Sequence, residues 1–171
     1  MGEPMSEPTI EGASAPVRVG VIGVGAMGAA HVDNLSRWTP GAVVSRVYDL
    51  DGDRAAHIAA GIGALPSPSA EGVIADDQVD AVLVAAPDPL HEELALACLG
   101  AGKPTLLEKP LATSPDGSRR VVDAEVAGGR RLLQLGFMRR FDPAYLELRE
   151  AVTDGSIGRP RVAHCRSSRC R

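Results

Sequence analysis

Two short groups of residues in this chain have the types and spacing to do chemistry. The first is Gly23-Val24-Gly25-Ala26-Met27-Gly28, which sets glycine in the order G-x-G-x-x-G. Each glycine in that order has a mechanical role: Gly23 permits a tight turn, Gly25 lets the backbone approach a pyrophosphate, and Gly28 lets a helix pack closely on a strand. The helix that Ala26 and Met27 would open presents free N–H groups and a partial positive charge, which suit phosphate oxygens. The second group is Glu108-Lys109-Pro110. It places an ammonium at the end of a short apolar run, where it could stabilise a developing alkoxide or relay a proton during hydride transfer. A solvated lysine is the plain alternative for such a position.

The elements that must position these groups follow from patterning. Val17 to Ile22 is a short β-branched run that reads as a buried strand, and the glycines follow it at once. Ala26 to Trp38 reads as a helix ended by Thr39-Pro40-Gly41. Further strands are expected over Ala42–Tyr48, Asp80–Ala86, Thr105–Leu107 and Arg131–Phe137. Helices are expected over Asp53–Ala60, Ser69–Ile74, Leu90–Ala101, Ser114–Ala127 and Pro143–Val152, with Gly61 to Pro68 as a loop. Strands alternating with helices require right-handed crossovers and a mostly parallel sheet covered on both faces. The fold class is α/β, a Rossmann-type doubly wound parallel sheet.

In such a sheet, ligands lie outside the carboxyl ends of the strands. Asp49 closes the second strand about twenty residues past the glycines, where a carboxylate can accept from the ribose hydroxyls of a dinucleotide. A carboxylate there also repels a 2′-phosphate, so NAD is expected over NADP, although Arg54 lies nearby. Ala86-Pro87-Asp88, Glu108-Lys109-Pro110 and Gly136-Phe137-Met138-Arg139 should share the same rim. Arg139 and Arg140 are both able to reach it, and Arg139 is taken as the candidate. His31, on the first helix, is read as a packing residue.

Bulk properties exclude other classes. The 171 residues are 44% hydrophobic and 23% charged, with a formal net charge of -4 that gives no reason to expect nucleic acid. Aromatic residues make up 3% of the chain, so the core must be built from Ala, Val, Leu and Ile, as a covered parallel sheet demands. No apolar run approaches the roughly 18 residues of a membrane span. Met1 to Pro16 lacks both a basic start and an apolar centre, and reads as a disordered leader on a cytoplasmic protein. Cys98 falls in an apolar helical stretch as a small buried hydrophobe. Cys165 and Cys170 have no second Cys/His pair, so no metal site is expected.

The glycine pattern, Asp49, Pro87 through His91, Gly102-Lys103-Pro104 and Glu108-Lys109-Pro110-Leu111-Ala112 together closely resemble the N-terminal half of the glucose–fructose oxidoreductase/inositol dehydrogenase/rhizopine catabolism (Gfo/Idh/MocA) family. Gln134 through Pro143 looks like the inositol 2-dehydrogenase branch. The resemblance runs from about Val17 to about His164. It implies an NAD(P)-dependent oxidoreductase acting on a secondary alcohol of a sugar or cyclitol, with Lys109 in the active site and a cis Lys109–Pro110 bond. It also implies that His91 and Glu108 lie near the cofactor.

Full-length members that this chain resembles continue into a second α/β domain, which carries an Asp and a His spaced D-x-x-x-H and usually the oligomer interface. No D-x-x-x-H follows Asp142 here. Residues 17–141 are therefore expected to form the dinucleotide-binding domain. Residues 142–171, including a strand over Arg161–Cys165, are expected to begin a truncated substrate domain. Three readings stay open: an inositol or polyol dehydrogenase or a fragment of one, an NAD-binding module without turnover, and an inactive remnant.

Overall fold

The computed structural model describes residues 15–162. Within it, β1 (Val17–Ile22), β2 (Ala42–Tyr48), β3 (Leu65–Pro66), β4 (Ala81–Val84), β5 (Thr105–Glu108) and β6 (Leu133–Gly136) form one sheet. The strand order is β3-β2-β1-β4-β5-β6 and every pairing is parallel. The chain thus starts in the middle, winds out to β3, returns across β1 and winds out to β6. The connecting helices are α1 (Ala26–Trp38), α2 (Gly52–Ile62), α3 (Ala70–Ala75), α4 (His91–Gly100) and α5 (Pro115–Ala127), with α6 (Pro143–Thr153) following β6. This is the Rossmann-type doubly wound sheet expected from the sequence.

Alternation along the central strands builds a core on each face. Val19 and Val21 of β1, Val44 and Val47 of β2 and Leu83 of β4 point to one side, where Val32 of α1 and Ala55 and Ala59 of α2 cover them. Ile22, Val82, Val84 and Leu107 point to the other side, against Val73, Leu94, Cys98 and Val121. Because both faces are covered, β1 and β4 read as continuous apolar runs rather than as alternating ones. Burial pushes the Cys98 thiol above its ordinary range, as befits an inert core side chain.

The elements match the expected ones closely, with three differences. The span expected as a loop contains β3, whose pairing rests on Arg46 opposite Leu65 and Val47 opposite Pro66. The helix expected from Leu90 begins at His91, after a 3₁₀ turn over Asp88–Leu90. β6 begins at Leu133 because the Glu125 carboxylate accepts from the amides of Leu132 and Leu133, at 2.9 and 2.7 Å, and holds the incoming chain to the end of α5. The expected strand over Arg161–Cys165 lies largely outside the described residues, as does the leader, and Arg161 and Val162 are in no strand.

The chain divides into two compact units, Met1–Gly136 and Phe137–Arg171. The first holds the whole sheet. In the second, a 3₁₀ turn (Met138–Arg140) leads into α6, whose N-terminus Asp142 caps by accepting from the Ala144 amide at 3.1 Å. Tyr145, Leu148 and Val152 form an exposed apolar stripe along α6.

At the rim opposite the glycine loop, Arg18 of β1 and Asp80, just before β4, tie the two central strands together. The Arg18 guanidinium donates to both carboxylate oxygens at 2.6 and 2.9 Å, and the Arg18 amide adds a third bond at 2.8 Å. These bonds hold the Asp80 carboxyl well below the usual carboxylate range. A depressed carboxyl stabilises the fold above its unfolded value, about pH 4, and loses that contribution as pH falls further. Asp80→Asn is therefore expected to lower the melting temperature at pH 7 and to flatten its decline between about pH 4 and pH 2. Melting curves across that range check this, and an acid limb as steep as the parent's refutes it.

Candidate functional site

β1 ends at Ile22, and the backbone turns at Gly23 with φ +87°, in the left-handed region that glycine alone adopts freely. A β-carbon on Gly23 would stand 2.6 Å from the Ala85 carbonyl oxygen just beyond β4. One on Gly28 would stand 1.9 Å from the Gly23 carbonyl oxygen, so α1 can start this close to β1 only because residue 28 has no side chain. At Gly25 a β-carbon would meet nothing within 4 Å. Gly25 caps α1 without a side-chain hydrogen bond, and the first turn of α1 carries no acidic residue. By contrast, α2, α3, α5 and α6 have side-chain caps from Asp51, Ser69, Ser114 and Asp142. The N-terminus of α1 is open backbone facing a cleft, the arrangement that accepts an anion.

That cleft is a cavity of about 680 Å3, within the usual size range of small-molecule sites. Gly23, Gly25, Ala26 and Met27 form its floor. Tyr48, Asp49 and Leu50 form one wall at the end of β2, and Ala85, Ala86 and Pro87 form the opposite wall past β4. Leu90, Leu94 and Ala70 make one region apolar, flanked by Glu71 and Glu93. Arg54 closes the side next to Asp49. Sequence reasoning singled out the glycines, Asp49 and Pro87. It did not single out Tyr48, Leu90 or Leu94, whose signal is positional: they occupy a strand end and the start of the following helix.

Asp49 has more than one task. One carboxylate oxygen accepts from the Val24 amide at 2.7 Å, which pins the glycine loop to the end of β2. The other accepts from the Asp51 amide at 2.9 Å and lies 3.4 Å from the Arg54 guanidinium, which also donates to Asp51 at 2.8 Å. A bond from the Arg54 amide, followed by the Arg54 charge, holds the Asp51 carboxyl below its usual range. The Asp49 carboxylate thus sits beside a half-exposed guanidinium.

The Glu108-Lys109-Pro110 turn leaves β5 with a cis Lys109–Pro110 bond, as the family resemblance implied. Lys109 is exposed, and its ammonium has no hydrogen bond or ion pair among the described residues. Glu108 is half-buried and accepts from His31 Nε2 at 2.8 Å. His31 was read as a packing residue; it instead joins α1 to the end of β5. His91 is fully buried, and its ring contacts the carbonyls of Ala86 and Pro110 rather than the cavity. Arg139 belongs to the second unit, where it pairs with Asp142 at 2.6 Å and lies 5.5 Å from the centre of the Tyr145 ring. Among the described residues, no group of three or more His, Cys, Asp or Glu side chains could hold a metal ion. No described helix is long and apolar enough to cross a membrane.

Comparison with known proteins fits this arrangement. The family model described as oxidoreductase family, NAD-binding Rossmann fold, matches residues 17–137. Inositol 2-dehydrogenase 3 of Saccharopolyspora erythraea is 50% identical over 149 residues, which cover 87% of this chain and 44% of that protein. Inositol 2-dehydrogenase of Rubrobacter xylanophilus is 47% identical over 151 residues, covering 88% and 44%. Among solved structures, myo-inositol dehydrogenase from Lactobacillus casei, in complex with NAD(H) and myo-inositol, superposes with a TM-score of 0.82 at 39% identity, over 85% of this chain and 43% of that one. The chain spans about 44% of the length of these curated relatives. With the family model covering most of its length, the chain belongs to the Gfo/Idh/MocA oxidoreductase family.

Proposed function

We propose that this chain holds NAD in the cleft above Gly23, Gly25 and Gly28, and that it forms the cofactor half of a dehydrogenase acting on a secondary alcohol of inositol or a related polyol. The observation that carries the reading is the combination at one rim of an uncapped helix N-terminus at an unobstructed Gly25 with the half-buried Asp49 carboxylate. A pyrophosphate fits the open amides of Ala26 and Met27, and a ribose diol fits the acceptor at Asp49. Pro87 borders the region into which the nicotinamide would extend. The same carboxylate disfavours a 2′-phosphate, which supports NAD over NADP.

When bound, NAD supplies a two-electron acceptor for the hydride leaving the alcohol carbon. This chain's own contribution to that step is Lys109. Among the described residues its ammonium has no partner, and it follows β5, the parallel neighbour of β4, at the rim of the sheet that carries the cleft. There it can hold the alcohol oxygen and relay to solvent the proton released as the C–O bond becomes a carbonyl. Glu108, at the same strand end, is assigned to the cofactor's surroundings, whereas the buried His91 ring faces backbone carbonyls. A homo-oligomer and a cytoplasmic location complete the proposal for the whole protein.

A second reading, in which these residues bind NAD without turnover, is favoured by the lining of the cleft, which includes the glycine loop, Asp49 and Pro87 but not Lys109. Two measurements separate the readings. NAD is expected to raise the melting temperature, because a ligand that binds only the native state stabilises it. NADH formation with myo-inositol then supports the first reading, and binding without turnover supports the second. A melting temperature indifferent to millimolar NAD overturns both. Lys109→Met is expected to leave the NAD-induced rise in place while abolishing any NADH formation.

A further inference from the structure

The turn that carries Lys109 is held from both sides by histidine rings. On one side, His31 of α1 donates from Nε2 to Glu108 Oε1 at 2.8 Å, and the second Glu108 oxygen lies 3.3 Å from the Lys109 amide. The Glu108 side chain sits in a narrow slot, its carboxyl carbon 3.2 Å from where a β-carbon on Gly136 would stand. On the other side, His91 is 1% exposed, and each ring nitrogen faces a backbone carbonyl: Nδ1 that of Pro110 at 2.5 Å, and Nε2 that of Ala86 at 2.8 Å. Carbonyls only accept, so the ring serves both partners when it carries both N–H groups, whereas a neutral ring serves one. Ala86 belongs to the cavity wall past β4. His91 therefore ties the residue after Lys109 to the wall of the cleft, while His31 ties the residue before it to the helix that opens on the cleft.

We infer that His31 and His91 are positioning residues, which clamp the Glu108–Pro110 turn and so fix where the Lys109 ammonium stands relative to the cleft. Neither ring reaches a reacting atom; both act through Lys109. The role assigned to Lys109 under the proposed function gives the clamp its purpose, but the clamp itself can be tested without ligand.

The sequence offers a direct readout, because Lys103 and Lys109 are its only lysines. Lys103 donates from Nζ to the carbonyls of Asp76 and Val79 and reports on the fold away from the turn. The full chain grown with 15N- and 13Cε-labelled lysine gives two amide signals and two side-chain signals, assigned by Lys109→Arg. In His31→Leu and in His91→Phe, the Lys109 signals are expected to shift or broaden while those of Lys103 stay in place. His31→Gln, whose amide can still donate to Glu108, is expected to restore the parent spectrum. Lys109 signals that stay in place in His31→Leu overturn the clamp, as do Lys103 signals that move in step with them, since that marks a general loss of structure. His31 is half-buried on α1, so His31→Leu decides the matter even where His91→Phe does not fold. NAD titrated into the same samples tests the cofactor reading separately. If neither parent signal responds and the melting temperature is unchanged, that reading falls, while the ligand-free spectra still judge the clamp.

Discussion

Gly28→Ala is expected to lower the melting temperature of the ligand-free chain by roughly 6–12 °C, the equivalent of about 3 kcal/mol in a protein of this size. The added β-carbon would stand 1.9 Å from the Gly23 carbonyl oxygen, a backbone atom that cannot swing aside as a long side chain could. Relief requires α1 to move away from β1, and that opens the contact between Val32 and the sheet residues Val19 and Val21 beneath it. The neighbouring substitution should behave in the opposite way. Gly25 has φ −63° and open space where its β-carbon would be, so Gly25→Ala is expected to change the ligand-free melting temperature by no more than about 2 °C. On the proposed reading, that open space belongs to the pyrophosphate, and the added methyl should weaken NAD by about tenfold or more, roughly 1.4 kcal/mol. Thermal melts with and without NAD separate the two glycines. Equal loss of stability in both variants would show that the loop is only a structural turn.

On the proposed reading, in which Asp49 takes the ribose hydroxyls of NAD, Asp49→Ser is expected to exchange cofactor preference. The serine hydroxyl is too short to take over both carboxylate bonds, so the Val24 amide loses its acceptor and the ribose loses a charged partner. Such bonds are worth about 1.5–3 kcal/mol, and NAD should weaken by at least about tenfold. NADP should respond in the other direction, because the variant removes the charge that repels a 2′-phosphate and releases Arg54, which now spends part of its guanidinium on Asp49 and Asp51. Together these effects shift the NADP-to-NAD ratio by about a hundredfold, on the order of 2.8 kcal/mol. Titration of both cofactors into parent and variant measures the ratio. A parallel loss of both would show that Asp49 only anchors the loop.

The parts of this fold that could be read from the sequence are those whose cause is local. The β-branched run Val17–Ile22 meets glycines immediately, and Ser114-Pro115 caps and opens a helix, so β1, α1 and α5 could be placed to within a residue. β3 could not, because two residues, one of them proline, carry no alternation and are strand only through pairing with β2. The site divides in the same way. Gly23, Gly28 and Asp49 are found by spacing, since strand length fixes where they emerge. The second task of Asp49, on the Val24 amide 25 residues away, is a tertiary contact without a sequence signature. His31 was read as packing because its partner Glu108 lies 77 residues along the chain. His91 could be placed at a helix start, but the carbonyls that engage its ring come from two separate strand ends.

The two margins of the sheet are unlike each other. At β3 the margin is two residues long and one of them, Pro66, has no N–H to offer, so an added strand finds almost nothing to pair with. At β6 the margin is four residues of regular backbone, and among the described residues no strand of the same sheet pairs with its far side. Among the described residues, the β3 margin therefore offers an added strand far less backbone than the β6 margin does.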